Sequence, residues 1–238
     1  MGSEFRAYLL LTLRDTSAAE SFLGANPDRD DPEINLRRAL IELHYDRVDN
    51  AIQIAKDSLQ RKGQRSSTVI NFARIARLAN PDDLDAIRNS YELAIPALVN
   101  GRRFDEQVFY WSIGFEPRTY AKAAVDYAGL LIEMGNADRA AKYIADVESF
   151  IAQVPRMDWW GYGILDAELA AVQGNRDAAL DALEAAIDAG WMQDWWFNEK
   201  YNPNLASLHG DPRYEALFKR LTNKAAEQLA LYRAGSSQ

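Results

Sequence analysis

Gly135-Asn136-Ala137-Asp138-Arg139-Ala140-Ala141 and Gly174-Asn175-Arg176-Asp177-Ala178-Ala179-Leu180 agree at four of seven positions and start 39 residues apart. The agreement extends outward on both sides. Ala128 precedes the first glycine by the same seven residues that separate Ala167 from the second, and Ala140, Ile144 and Val147 match Ala179, Leu183 and Ala186. Around these turns the small and apolar residues recur at steps of three and four: Ala121, Ala124, Val125, Ala128, Leu131 and Ile132 before the first, and Ile164, Ala167, Ala171 and Val172 before the second. That spacing puts them on one stripe of a helix. Each glycine supplies the positive φ that ends a helix, each asparagine is placed to cap the next, and Asp138 and Asp177 favour the positive end of its dipole. Sustained alternation of apolar and polar residues is absent, so the chain is expected to be all-helical, a series of antiparallel helix pairs.

Weaker units precede these two. One pair is expected over Pro32–Arg61, with Asp46 in place of the turn glycine, and another over Ser67–Val99. Proline, which lacks an N–H and restricts the residue before it, marks further boundaries at Pro27, Pro32, Pro81, Pro117, Pro203 and Pro212. Pro96 falls inside the apolar pattern of 82–99, which predicts a kink or an early end there. A closing helix is expected over about Arg213–Tyr232.

The paired units resemble the tetratricopeptide repeat, with its period of about 34 residues, small residues in both helices and glycine near the turn. They depart from it by an insertion around Pro155 and by Ala124 and Gly163 standing where the first-helix tryptophan is expected. A second resemblance covers Ala179–Leu221: Ala189-Gly190-Trp191, the pair Trp195-Trp196, and Gly210-Asp211-Pro212-Arg213-Tyr214. It is similar to the closing segment of tetratricopeptide arrays in bacterial regulators, cyclases and kinases of mixed domain content. The resemblance implies a right-handed superhelical solenoid with a concave face. It also implies a sensory or scaffolding module of a bacterial regulatory protein, in the cytoplasm or, for a membrane-anchored parent, the periplasm. In this reading residues 1–5 form a cloning leader. Residues 6–238 are a single repeat domain, with its best repeats at 121–154 and 160–191 and a cap at 192–234.

Composition bounds the chemistry. The 238 residues carry 27 Lys and Arg against 35 Asp and Glu, a net charge of −8, and no cysteine. An acidic chain of this kind is not expected to hold nucleic acid. No phosphate-binding loop, dinucleotide fingerprint, His-Glu-x-x-His or calcium loop is present, so no catalytic residue, cofactor or metal site is assigned. The two histidines, His44 and His209, are read as a partly exposed helix residue and a loop residue with no shared site. Charge is uneven: residues 56–77 hold Lys56, Arg61, Lys62, Arg65, Arg74 and Arg77 against Asp57 alone, while residues 126–199 hold four basic and fourteen acidic side chains. These are either two solvated faces or an acidic end that steers a basic peptide.

The aromatic clusters Trp159-Trp160 with Tyr162, and Trp195-Trp196 with Phe197, are the strongest candidates for contact with a ligand. Neighbouring residues on a helix point about 100° apart, so both members of a pair are not expected to face one core; each cluster either stiffens the last repeat or lends a ring to a groove. Tyr127, Trp160, Tyr162 and Trp196 are accordingly the partner-binding candidates. The expected partner is a protein or peptide lying on the concave face, with a small-molecule sensor and the regulatory part of an enzyme as alternatives.

Overall fold

Asp31 accepts hydrogen bonds from the backbone N–H groups of Glu33 (2.8 Å) and Ile34 (3.5 Å), and Pro32, which has no N–H to satisfy, opens the helix that follows. Thirteen α-helices and one 3₁₀ helix occur among the residues that the computed structural model describes, which are 3–24, 31–61, 66–79, 83–100, 116–156 and 162–235. They are α1 (Ser3–Thr12), α2 (Thr16–Gly24), α3 (Pro32–His44), α4 (Val48–Leu59), α5 (Ser66–Ala76), α6 (Leu84–Ala94) and α7 (Ala97–Asn100), then α8 (Glu116–Glu133), α9 (Ala137–Gln153), α10 (Leu165–Val172), α11 (Arg176–Asp188), α12 (Trp195–Tyr201), the 3₁₀ helix η1 (Pro203–Leu208) and α13 (Pro212–Gly235). No strand occurs among the described residues, so the chain is all-α. The first helix starts inside the expected leader, at Ser3. The expected boundaries at Pro27 and Pro81 lie outside the described residues.

Helices pack as hairpins: α1 with α2, α3 with α4, α5 with α6, α8 with α9, and α10 with α11. The turn chemistry matches its residues. Gly135 and Gly174 sit at φ +75° and +77°, and Asp46 takes the same role at +56°. Pro96 ends α6 at Ala94 rather than kinking it. Capping is uneven, for Asn175 accepts a hydrogen bond from the Ala178 N–H whereas Asn136 makes no such bond. The alanine seams are fully buried at Ala121, Ala124, Ala128, Ala140, Ala167, Ala179 and Ala186, although Ile132, expected on the same stripe, is 39% exposed. Successive hairpins also touch through their first helices, α1 to α3, α3 to α5, α5 to α8 and α8 to α10.

The inner face made by these first helices is occupied by the chain itself. α12 and η1 fold back over it, and their side chains reach elements far away in sequence. Trp195 Nε1 donates to the Thr12 carbonyl at 2.9 Å, and the Tyr201 hydroxyl donates to the Leu43 carbonyl at 3.1 Å. Lys200 pairs with Asp46, and Arg233 of α13 with Asp15 (2.8 Å). Both tryptophans of the 195–196 pair are buried, not against one core, as expected, and neither is left as an exposed ring. The reason is that α12 lies between two walls: Trp195 points at α1, and Trp196 stacks on His44 of α3 with ring centroids 3.8 Å apart. Trp195, Trp196, Phe197, Tyr201, Leu205 and Leu208 are each at most 7% exposed. At roughly 1.5–3 kcal/mol per large apolar side chain, they hold this segment down firmly.

Candidate functional site

Three charged residues lie where the inner helices meet. Arg74 of α5 forks onto Asp126 of α8, with Nε to Oδ2 at 2.7 Å and Nη2 to Oδ1 at 2.6 Å, and the same Nη2 lies 2.8 Å from Glu168 Oε1 on α10. None of the three is more than 3% exposed. Neutral donors add further bonds to the three oxygens in these contacts. Tyr91 donates to Asp126 Oδ2 (3.1 Å), Asn204 to Asp126 Oδ1 (2.5 Å), and Asn202 to Glu168 Oε1 (2.6 Å). Gly129 lets η1 come this close, because a Cβ there would lie 2.9 Å from Asn204 Oδ1. Burial opposes the Arg74 charge, but Asp126 and Glu168 outweigh it and raise its pKa; burial together with Asp126 pushes the Tyr91 phenol well up. The cluster therefore joins three hairpins and the closing segment through charge-assisted bonds.

This finding corrects the two-segment charge reading. Arg74 belongs to the basic stretch and Asp126 and Glu168 to the acidic one, so part of each stretch is spent on the other inside the protein. Arg77 is also drawn in, with its side chain 2% exposed and its guanidinium 2.5 Å from Glu133.

In front of the cluster opens a cavity of about 330 Å³, walled by α5, α8, the start of α10 and the turn into α12. Its floor is aromatic: Trp191 and Phe197 are buried, and Tyr162 is half-buried. Gly163, at φ +59°, makes the turn that presents Tyr162, and Arg156 fixes that turn by donating to the Gly163 carbonyl (3.1 Å) and lying 5.1 Å from the Tyr162 ring centroid. Charges of both signs line the walls. Lys122 of α8 is half-buried and has no hydrogen-bond or ion-pair partner among the described residues. Burial lowers its pKa and the like charge of Arg74 adds to this, against the pull of Glu168, Asp194 and Asp126. Arg118, one turn earlier, reaches Gln193 Oε1 at 3.4 Å. Across from them Asp194 sits at φ +47°, its carbonyl accepting from the Asn198 N–H (3.0 Å) and its carboxylate without a partner among the described residues.

A second cavity, of about 680 Å³, lies on the other side of α12 and includes His44, Trp196, Lys200, Tyr201, His209 and Tyr214. Both histidines, for which no shared metal or catalytic site is expected from the sequence, line it. His44, the partly exposed helix residue the sequence suggests, is half-buried against Trp196, and burial pushes its pKa down to about 4, with the charge of Arg14 acting in the same direction. Three other polar groups here are already committed, Lys200 to Asp46, Tyr201 to the Leu43 carbonyl, and Tyr214 to the carbonyls of Asn198 and Glu199 (3.0 Å each).

Of the four partner-binding candidates, Tyr162 alone lines the smaller cavity. Tyr127 is fully buried between α6 and α9, where its hydroxyl donates to Glu92 and its ring meets Tyr143 edge-on at 4.9 Å. Trp196 is 5% exposed, belongs to the closing segment and lines the larger cavity. Trp160 lies outside the described residues. The residues that the sequence reading missed are Lys122, Arg118 and Asp194, whereas Phe197 belongs to an aromatic cluster that the sequence singles out, with Trp191 close by. A usable signal existed for the first, since Lys122 interrupts the otherwise uncharged run Ala121-Lys122-Ala123-Ala124-Val125. Among the described residues no group of acidic and histidine side chains is arranged to hold a metal ion, and no helix is long and apolar enough to cross a membrane. No family model, curated protein or solved structure matches this chain.

Proposed function

We propose that this chain is a ligand-sensing module of tetratricopeptide type, a short solenoid whose concave face is filled by its own residues 195–208 and whose remaining cavity receives a small molecule. The observation that carries the reading is Lys122, without a partner among the described residues, at the wall of a cavity of about 330 Å³ with aromatic residues in its lining. Pockets for small ligands run from about 300 to 1,000 Å³ and combine apolar lining with a few polar groups. A peptide laid along the inner face would have to displace α12 and η1, which are buried and bonded to α1, α3, α8 and α10. In this reading ligand occupancy stiffens the contact between α8 and α12 and is passed to an effector domain of a bacterial regulatory protein. The stacking of first helix on first helix is what supports the solenoid.

A thermal-shift screen of small polar metabolites tests the proposal, because a ligand that binds the folded state raises the melting temperature by linkage. Compounds should stabilise the natural sequence and not the cavity-blocking variant Thr119→Phe; stabilisation that survives the block, or none across the screen, contradicts it. A second reading, capture of a basic peptide on the outer surface of the acidic half, is favoured by the exposed Asp138, Glu148, Asp177 and Asp181. Its signature would be peptide affinity that falls steeply with salt.

A further inference from the structure

We infer that the ligand of the smaller cavity is a zwitterion built like an α-amino acid with an apolar side chain, its carboxylate met by Lys122 and its ammonium by Asp194. This rests on the reading of the cavity as a ligand seat and adds its chemistry. Three observations lead to it. The Lys122 ammonium and the Asp194 carboxylate stand on different elements, face one cavity, and pair neither with each other nor with any other described residue. Burial penalises the Lys122 charge, which a ligand carboxylate would relieve, and the Asp194 carboxylate caps no helix N–H and is open to a ligand ammonium.

The second observation is the balance of charge. Arg74, Asp126 and Glu168 together leave one negative charge behind the cavity, and Asp194 adds another; Lys122 and Arg118 bring two positive charges. Among the described residues these charges sum to zero. A monoanion or monocation would leave net charge in a low-dielectric space, whereas a zwitterion keeps the sum at zero and satisfies both unpaired groups. The third observation is size and floor. A cavity of about 330 Å³ lies at the small end of ligand pockets, and Trp191, Phe197 and Tyr162 offer apolar faces to a single side chain.

The test uses the full chain and three probes that differ only in their charges: L-phenylalanine, phenethylamine, which lacks the carboxylate, and 3-phenylpropanoate, which lacks the ammonium. Calorimetric titration should find L-phenylalanine at least about tenfold tighter than either, the effect expected of one charge-assisted hydrogen bond. Lys122→Met should bring L-phenylalanine down to the affinity of phenethylamine, and Asp194→Asn, which keeps a residue tolerant of the left-handed backbone, should bring it down to that of 3-phenylpropanoate. If either singly charged probe binds the natural sequence as tightly as L-phenylalanine, the zwitterion is wrong while the ligand seat stands. If none of the three binds, nor any of the matching series built on L-leucine, the zwitterion is likewise overturned, and the ligand seat then rests on the metabolite screen alone. The comparison among probes on the natural sequence needs no variant, so it holds even if one of them folds poorly.

Discussion

Replacing Arg74 by methionine removes the one positive charge from between two buried carboxylates. The side chain is 2% exposed and makes three contacts of 2.6 to 2.8 Å, two with Asp126 and one with Glu168. Methionine fills much of the volume but supplies no donor. Asp126 keeps only Tyr91 and Asn204 among these side-chain donors, and Glu168 keeps only Asn202. Breaking a buried ion pair from one side costs about 3–5 kcal/mol, because the remaining charge stays desolvated. For a chain of this length that corresponds to a fall in melting temperature of roughly 6–20 °C. Urea unfolding followed by circular dichroism measures the loss directly. Two companions sharpen the result. Arg74→Lys keeps the charge but loses the fork that grips Asp126, so it should fall between; the triple change Arg74→Met, Asp126→Leu, Glu168→Met removes all three charges together and should be less damaging than Arg74→Met alone. A loss under about 1 kcal/mol for Arg74→Met would refute the idea that this cluster ties the hairpins together.

Other outcomes follow from single contacts. Burial holds the His44 pKa at about 4 against about 6.5 when unfolded, so the stability it contributes is complete above about pH 6.5 and is lost as pH falls towards 4. That loss is at most about 3 kcal/mol and is lessened by the part of the ring that meets solvent; His44→Phe should flatten the fall between these pH values, and parallel curves for the two proteins would count against the assignment. Asn175→Ala should destabilise by about 0.5–1 kcal/mol through the lost cap, whereas Asn136→Ala, which loses no such bond, should change stability by only a few tenths; equal effects in chemical denaturation would contradict the difference. Trp195→Phe keeps most of the packing but loses the bond to the Thr12 carbonyl, and should lower stability by about 1 kcal/mol or more.

The hairpins were legible because they are local. Gly135, Gly174 and Asp46 announce turns through backbone conformations that few residues accept, and Pro96 announces a helix end through the bond it cannot make. The inner face was not legible, because it is assembled from distant segments. Arg74 and Asp126 are 52 residues apart, and Trp195 meets a carbonyl 183 residues away. No periodicity encodes such pairings. A charge count over a window assigns Arg74 to a basic face and Asp126 to an acidic one, although each neutralises the other. Partial signals were present in the pattern, since Asp126 and Glu168 interrupt runs that are otherwise small or apolar, Ala123-Ala124-Val125 before the first and Leu169-Ala170-Ala171 after the second. A charged residue on a stripe destined for burial points to a buried partner. The tryptophans were partly legible for a related reason. The rule that neighbours on a helix diverge is sound, and α12 has a second wall to receive the second ring.

Where a ligand settles is the direct test of the cavity as its seat, and the indole signals of the ¹⁵N-labelled protein report this residue by residue. Titrated with the tightest stabiliser from the metabolite screen, the Trp191 indole, in the cavity wall, should shift and saturate, while the Trp195 indole, bonded to Thr12 on the far side of α12, stays in place. Saturating shifts at Trp195 and Trp196 with Trp191 unmoved would put the ligand elsewhere and contradict it.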